Sequence, residues 1–224
     1  MNDKQTVAIA ACNLVSDGMV VGLGTGSTAN YFIEALAQRQ EQGLRVQTIA
    51  SSTISAIKAQ AFGLPLITIE QASQIDLYVD GADEISPQLT LLKGRGQDLV
   101  MEKLLAHYAK SFVVVADKSK LVSRIGENFV IPIEVMPNAW NMVKSELLAL
   151  GASGDIRLNA NQDNVAVTAA GNYVLDMRFP IKLDEKQLNN LLNAIPGIVE
   201  HGIFFGLTSQ VLIADQGKVE VKKA

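Results

Sequence analysis

The chain is poor in the groups that carry redox, metal and nucleic-acid chemistry. It has a single cysteine, Cys12, which excludes an internal disulfide and a cysteine-based zinc cage. Cys12 reads as a small apolar filler in a helix, not as a reactive thiol. The only two histidines, His107 and His201, have no partner at metal-ligand or triad spacing and take no role. Aromatic residues make up 5% of a chain that is 48% hydrophobic. The core must therefore be built from Ala, Val, Ile and Leu, as in helix-covered parallel sheets. Net charge is −4, with no Lys/Arg block, so no nucleic-acid partner is expected. No apolar run is long enough to cross a bilayer, and the first residues lack the basic segment and long apolar core of a signal peptide. A soluble, cytoplasmic protein is expected.

Strand-like and helix-like stretches alternate through the first half. Helical spacing over 2–17 ends near Gly18. Met19–Leu23 reads as a strand, Ala29–Arg39 as a helix, Val46–Ala50 as a strand, and a helix runs on to Phe62. Strands follow at Leu66–Ile69 and Ile75–Val79, a helix at Leu99–Lys110, and a strand from Phe112 to Ala116. This order predicts a parallel α/β sheet. Near residue 130 the pattern changes. Val130–Val135, Asp155–Asn159, Val165–Thr168, Tyr173–Phe179 and Ile198–Phe205 read as strands, with helices at Ala139–Leu150 and Glu185–Ala194. That sequence predicts a smaller ferredoxin-like α+β unit with room for an extra strand. The tail, Gln210–Lys222, reads as a hairpin through Asp215-Gln216-Gly217 that returns to the first sheet. The expected domains are 1–129 plus 206–224, and 130–205.

Four segments carry candidate chemistry. Gly24-Thr25-Gly26-Ser27-Thr28 joins a strand to a helix. Its glycines let backbone approach a ligand, and the helix start and three hydroxyls suit a phosphate. A tight turn with hydroxyl capping is the plainer alternative. The stretch also fits a dinucleotide fingerprint, but the next strand ends in Ala50-Ser51-Ser52-Thr53, without the acid that holds a ribose. Ser51 and Ser52 either add donors around a ligand or cap the next helix. Asp80-Gly81-Ala82-Asp83-Glu84 ends an apolar strand, at the sheet edge where ligands bind. A solvated turn and a magnesium site are the other readings. Lys93-Gly94-Arg95-Gly96 brings an ammonium and backbone N–H groups together. Glu102 shares a helix face with Leu99 and Leu105, so it is either a desolvated general base or half of an ion pair with Lys103 or Arg95. Lys120, beyond the strand ending at Asp117, can reach a phosphate or lie solvated at the surface.

Taken together these segments, with Ala116-Asp117-Lys118-Ser119-Lys120-Leu121 and Val199-Glu200-His201-Gly202, closely resemble ribose-5-phosphate isomerase of the A type over nearly the whole chain. The resemblance implies a Rossmann-like α/β domain with a smaller ferredoxin-like α+β domain, and interconversion of ribose 5-phosphate and ribulose 5-phosphate in the pentose phosphate pathway, without metal or other cofactor, by a homodimer or homotetramer. It assigns Glu102 as the base. Asp80, Asp83 and Lys93 act around the reacting end of the sugar, and Gly81, Ala82, Gly94, Arg95 and Gly96 line it. Thr25, Gly26, Ser27, Thr28 and Lys120 bind substrate and its phosphate. One departure stands out: the glycine run that the family has after the lysine is interrupted by Arg95, which would alter substrate fit or pair with an acid. Two rival classes are a sugar-phosphate sensor that binds without turnover, separable by an isomerase assay, and an NADP-dependent reductase, separable by NADPH titration.

Overall fold

A computed structural model describes residues 2–180 and 182–224. Along the chain come α1 (Asp3–Cys12), β1 (Val20–Leu23), α2 (Ser27–Glu41), β2 (Gln47–Ala50), α3 (Thr53–Ala61) and β3 (Leu77–Asp80). Two short strands follow, β4 (Glu84–Ile85) and β5 (Leu91–Leu92), then α4 (Leu99–Tyr108) and β6 (Phe112–Asp117). Next are β7 (Ile131–Val135), α5 (Trp140–Ala149), β8 (Ser153–Ile156), β9 (Tyr173–Arg178), α6 (Glu185–Ala194) and β10 (Ile198–His201). The series finishes with β11 (Ile203–Phe204), β12 (Gln210–Asp215) and β13 (Lys218–Lys223). Among the described residues no helix is long and apolar enough to cross a membrane.

Contacts divide the chain into two units: residues up to Ala82 with Met101–Lys120 and Leu207–Ala224, and Asp83–Val100 with Leu121–Gly206. The first unit holds a six-stranded sheet in the order β13-β12-β6-β3-β1-β2. All neighbours are parallel except β13, which runs antiparallel to β12 at one edge. Every residue of β3 is buried, as is all of β6 except Asp117, the signature of a sheet covered on both faces. Val7, Ala8 and Ala11 of α1 and Phe32, Ile33 and Leu36 of α2 fill the core against Val21, Val79, Val113 and Leu212. Burying each of the three larger side chains of α2 is worth about 1.5–3 kcal/mol. Helix α1 stops at Cys12, short of the expected 17, because Arg39 Nη1 takes up the carbonyls of Cys12 and Val15 where the next turn would begin.

The second unit contains a four-stranded sheet in the order β10-β7-β9-β8, antiparallel throughout. With α5 and α6 supplying Val143, Leu147, Leu188 and Leu192 to its core, this is the ferredoxin-like arrangement. A second sheet, β11-β5-β4, belongs to the same unit.

Several expected boundaries differ. Residues 83–100 and 121–129 group with the second unit, not the first. The reason is local: β4 and β5 pair with each other, and the buried Glu84 carboxylate accepts N–H bonds from Gly126 (2.6 Å), Asn128 (2.6 Å) and Phe129 (2.9 Å). The expected strand Ile198–Phe205 is two strands in two sheets, divided where Gly202 N donates to Pro132 O and Lys93 N donates to Gly202 O. Leu66–Ile69 and Val165–Thr168 make only isolated bridges, to Thr48 and to Leu158 and Tyr173.

Candidate active site

In the first unit, β1 leads outward to β2 while β3 leads the other way to β6, so the carboxyl ends of β1 and β3 flank the point where the winding reverses. Open α/β sheets bind ligands there. Asp80, the last residue of β3, is fully buried at this point. Its Oδ1 accepts from Thr25 N (3.0 Å) and Gly81 N (2.7 Å), and its Oδ2 accepts from the Tyr78 hydroxyl (2.6 Å). Tyr78 and Asp80 are two apart on one strand and therefore share a face. Tyr78 was given no role from sequence, and that alternation is the signal that could have found it. Its ring stacks on Phe112 with centroids 4.9 Å apart. Burial pushes the Tyr78 phenol well above its usual value, and the charges of Asp80 and Glu102 add to this, so the phenol stays protonated and donates.

The β1–α2 loop fits around this carboxylate. A Cβ on Gly24 would lie 2.2 Å from Asp80 Oδ1, so only glycine admits the acid there. Gly26 has φ 111° and brings no side-chain cap to α2, so nothing from the N-cap covers the amides of the first helical turn. The Thr25 hydroxyl is engaged inside the fold, 2.6–3.1 Å from the hydroxyls of Ser51, Ser52 and Ser55. Ser52 also caps α3 by accepting from Ser55 N, so Ser51 and Ser52 are scaffolding for the loop. Ser27 is exposed and Thr28 half-buried at the helix start.

Lys4, to which no site role was given from sequence, donates to Ser27 Oγ at 2.8 Å. A cavity of about 620 Å³ opens beside this pair, lined by Asn2, Lys4, Ser27, Tyr31, Asp117 and Ser119 among others. Burial pushes the Asp117 carboxyl up, but hydrogen bonds from Ser119 and the charges of Lys120 and Lys4 outweigh it and leave Asp117 below the usual carboxylate range. A carboxylate kept ionised thus holds Lys4 and Lys120 in one field, at the end of β6. Lys4 sits on a helix distant in sequence from every motif, and its signal there was weaker than that of Lys120.

Glu102 lies in the first turn of α4 and is 7% exposed, with Leu99 at 2% and Leu105 at 0%. The face expected from spacing is the buried face. Its charge acts on Tyr78 together with that of Asp80, which groups the two acids and the phenol electrostatically.

The remaining candidates belong to the second unit. Asp83 N donates to Leu92 O (2.8 Å), which sets Asp83 and Lys93 at the same end of the β4–β5 hairpin. Lys93 is 4% exposed, and its ammonium lies 5.7 Å from the Phe204 ring centroid. Arg95 is half-exposed, lies 4.1 Å from the Phe129 ring centroid, and reaches Asp83 Oδ1 at 3.9 Å. Of the two expected consequences of Arg95, pairing with an acid is the one observed. Gly94 and Gly96 flank it in the same loop, and Gly81 and Ala82 end the first unit's segment ahead of Asp83. Glu84 is engaged in structure, as described above. His201, also without assigned role, is a core residue whose ring bonds Asn193 and the Ile203 amide. No group of three or more His, Cys, Asp or Glu among the described residues is placed to hold a metal ion.

Comparison with known proteins gives a consistent result. A family model described as ribose 5-phosphate isomerase A (phosphoriboisomerase A) matches residues 47–218. The chain is similar to the ribose-5-phosphate isomerase A of Prochlorococcus marinus strain NATL2A, 41% identical over 221 residues covering 97% of this chain and 92% of that protein. It is 43% identical to the protein of the same name from Methanothermobacter thermautotrophicus, over 95% of this chain and 93% of that one. Among solved structures, ribose 5-phosphate isomerase A from Methanocaldococcus jannaschii superposes with a TM-score of 0.93 at 39% identity, covering 99% and 98% of the two chains. A D-ribose-5-phosphate isomerase in complex with phospho-erythronic acid superposes with a TM-score of 0.95 at 35% identity, covering 100% of both. By sequence over almost its whole length and by fold, the chain belongs to the ribose-5-phosphate isomerase A family.

Proposed function

We propose that this protein interconverts ribose 5-phosphate and ribulose 5-phosphate by proton transfer through an enediolate, as a cytoplasmic enzyme of the pentose phosphate pathway acting as a homodimer or homotetramer. The observation that carries this reading is Glu102: a carboxylate 7% exposed, on an apolar helix face, acting on the same phenol as Asp80 at the sheet's switch point. A carboxylate so placed is suited to take a proton from carbon. In this reading Asp80 or Asp83 assists opening of the sugar ring. Glu102 removes the C2 proton and returns it to C1. Lys93 and the amides that follow it stabilise the oxygen on which negative charge develops. Ser27, Thr28, the start of α2 and Lys120 hold the phosphate, and the 2.8 Å bond from Lys4 to Ser27 supports adding Lys4 to that set. Thr25 acts through Asp80, whose carboxylate its amide orients. Anchoring at the phosphate fixes the reacting carbons in register.

The experiment is isomerisation in deuterated water with the products examined by NMR. Solvent deuterium is expected at C2 of ribose 5-phosphate and C1 of ribulose 5-phosphate. A product that never acquires label, formed at an undiminished rate by a Glu102→Gln variant, would remove the enediolate. Replacing Lys120 by alanine should raise KM for ribose 5-phosphate by about ten- to a hundredfold, the value of a charge-assisted hydrogen bond. Unphosphorylated ribose should bind the variant and the parent alike. Steady-state kinetics with both sugars checks this, and an equal loss for both would deny Lys120 a phosphate role.

A further inference from the structure

We infer that Arg157 is a positioning residue for the isomerisation, holding the Lys93–Asp98 loop by its peptide carbonyls so that the loop's amides are fixed as donors; the inference rests on the isomerase reading of that loop. Arg157 lies just beyond β8. Its Nε and Nη2 donate to the two carboxylate oxygens of Asp176 on β9, at 2.8 and 2.6 Å. The pair is largely buried, with side chains 16% and 25% exposed. This fork leaves Nη1 free to turn to the loop, where it donates to Gly96 O (2.9 Å), Gly94 O (3.2 Å) and Arg95 O (3.4 Å). The next carbonyl, Gln97 O, accepts from Ala169 N at 2.9 Å. That amide is fixed in turn, because Thr168 Oγ1 and Asn172 Nδ2 both donate to the buried carboxylate of Glu134 on β7 (2.8 and 2.9 Å). Four successive carbonyls, from Gly94 to Gln97, are therefore tied to the second unit's own sheet.

The peptide group is planar, with C=O and the following N–H pointing oppositely. Carbonyls drawn to Arg157 and Ala169 turn the amides of Arg95, Gly96, Gln97 and Asp98 away from them. A run of N–H groups on one side of a loop is a donor array for an anionic oxygen. The guanidinium does more than fix direction. A cation bonded to a carbonyl polarises the whole peptide group and strengthens its N–H as a donor. Arg157 thus delivers part of its charge through the peptide planes without touching a substrate. A lysine could not replace it, because one ammonium cannot keep a two-pronged grip on Asp176 and reach three carbonyls.

The test uses the full chain, its Arg157→Ala, Arg157→Lys and Asp176→Asn variants, and two readouts. Amide 15N order parameters at residues 95–98 should fall from about 0.85 to below about 0.6 in Arg157→Ala, while those of β7 and β9 stay at the parent value. The kcat for ribose 5-phosphate should fall by about ten- to a hundredfold with KM changed less than about threefold, as expected when transition-state donors are misplaced. Arg157→Lys should not recover kcat, and millimolar guanidinium should recover part of it in Arg157→Ala. Asp176→Asn keeps the side chain's size but offers one acceptor oxygen in place of two, so it loses the charge and one of the two bonds to Arg157. It should give a smaller fall on both readouts than Arg157→Ala, which covers the case of an alanine variant that does not fold. A loop that stays rigid in Arg157→Ala, an unchanged kcat, or full recovery by lysine would overturn the inference. A parent chain that does not isomerise would instead remove the function proposed above, and the order parameters would still decide whether Arg157 holds the loop.

Discussion

Exchanging Glu102 for glutamine is expected to lower kcat by about 10³- to 10⁴-fold, the range that a positioned general base supplies. Glutamine has the same shape and volume, so the packing of α4 against Leu99 and Leu105 is kept, but its amide cannot accept a proton from carbon. KM should change by less than about threefold, because the base acts on a bond broken in the transition state and not on binding. Steady-state kinetics on the variant, with the deuterium exchange described above, checks this. Residual exchange at the parent rate would mean that another group, Asp80 or Asp83, is the base. A burial-driven structural role alone would show as lost thermal stability without the split between kcat and KM.

The second large effect is expected at Gly24. A methyl there would lie 2.2 Å from Oδ1, 2.3 Å from Cγ and 2.5 Å from Cβ of Asp80. These are the atoms of a fully buried side chain held by three hydrogen bonds, so the strain cannot be relieved by swinging a flexible end aside. Gly24→Ala should cost at least about 1–3 kcal/mol of stability, the usual range for overpacking a closed site. It should also reduce turnover by about a hundredfold or more, since small misplacements of reacting groups carry penalties of that order. Gly81→Ala is the control for stability, and not for turnover, because the resemblance places Gly81 in the lining of the site. It is the neighbouring glycine at the same carboxylate, yet its added methyl would find its nearest neighbour, Val115 O, 3.8 Å away. Thermal denaturation of the pair separates a steric displacement of Asp80 from a general intolerance of substitution near the loop, and kinetics on Gly24→Ala checks the turnover. Equal loss of stability in the two variants would sink the argument.

How much of this was legible in the sequence depended on whether the signal was local. Asp80 stood out because an uninterrupted apolar run ends on it. Glu102 stood out because it interrupts a face defined by Leu99 and Leu105. The parallel sheet followed from strands too apolar to have a solvent side, and the ferredoxin-like unit from its β-α-β-β-α-β order. The losses were of other kinds. Strands β4 and β5 are two residues each, too short for any periodicity. The run Ile198–Phe205 has uniform β propensity, and only pairing partners elsewhere in the chain divide it between two sheets. Leu66 and Val165 have strand-like neighbours but only single bridges, so propensity without a partner strand overcalled them. Lys4 carried a weaker signal than Lys120, and Arg157 and Asp176 carried none, because their meaning lies in what they touch across 23 to 63 residues of separation or in another strand. The Ser51–Ser52 ambiguity turned on the Thr25 hydroxyl, whose three serine neighbours all lie in residues 51–55, a contact that no local pattern signals.

The order of the six-stranded sheet bears on how the polypeptide is made. Strand β12 lies between β6 and β13, and its side chains from Val211 to Ala214 are buried. It is translated about 90 residues after β6, which at ordinary elongation rates is a delay of about 5 to 20 seconds. Throughout that interval the nascent sheet exposes the open, valine-rich flank of β6, the kind of surface that recruits stray strands. The intervening segment has its own antiparallel pairing and can settle first, so completion of the earlier-translated half waits on the ribosome.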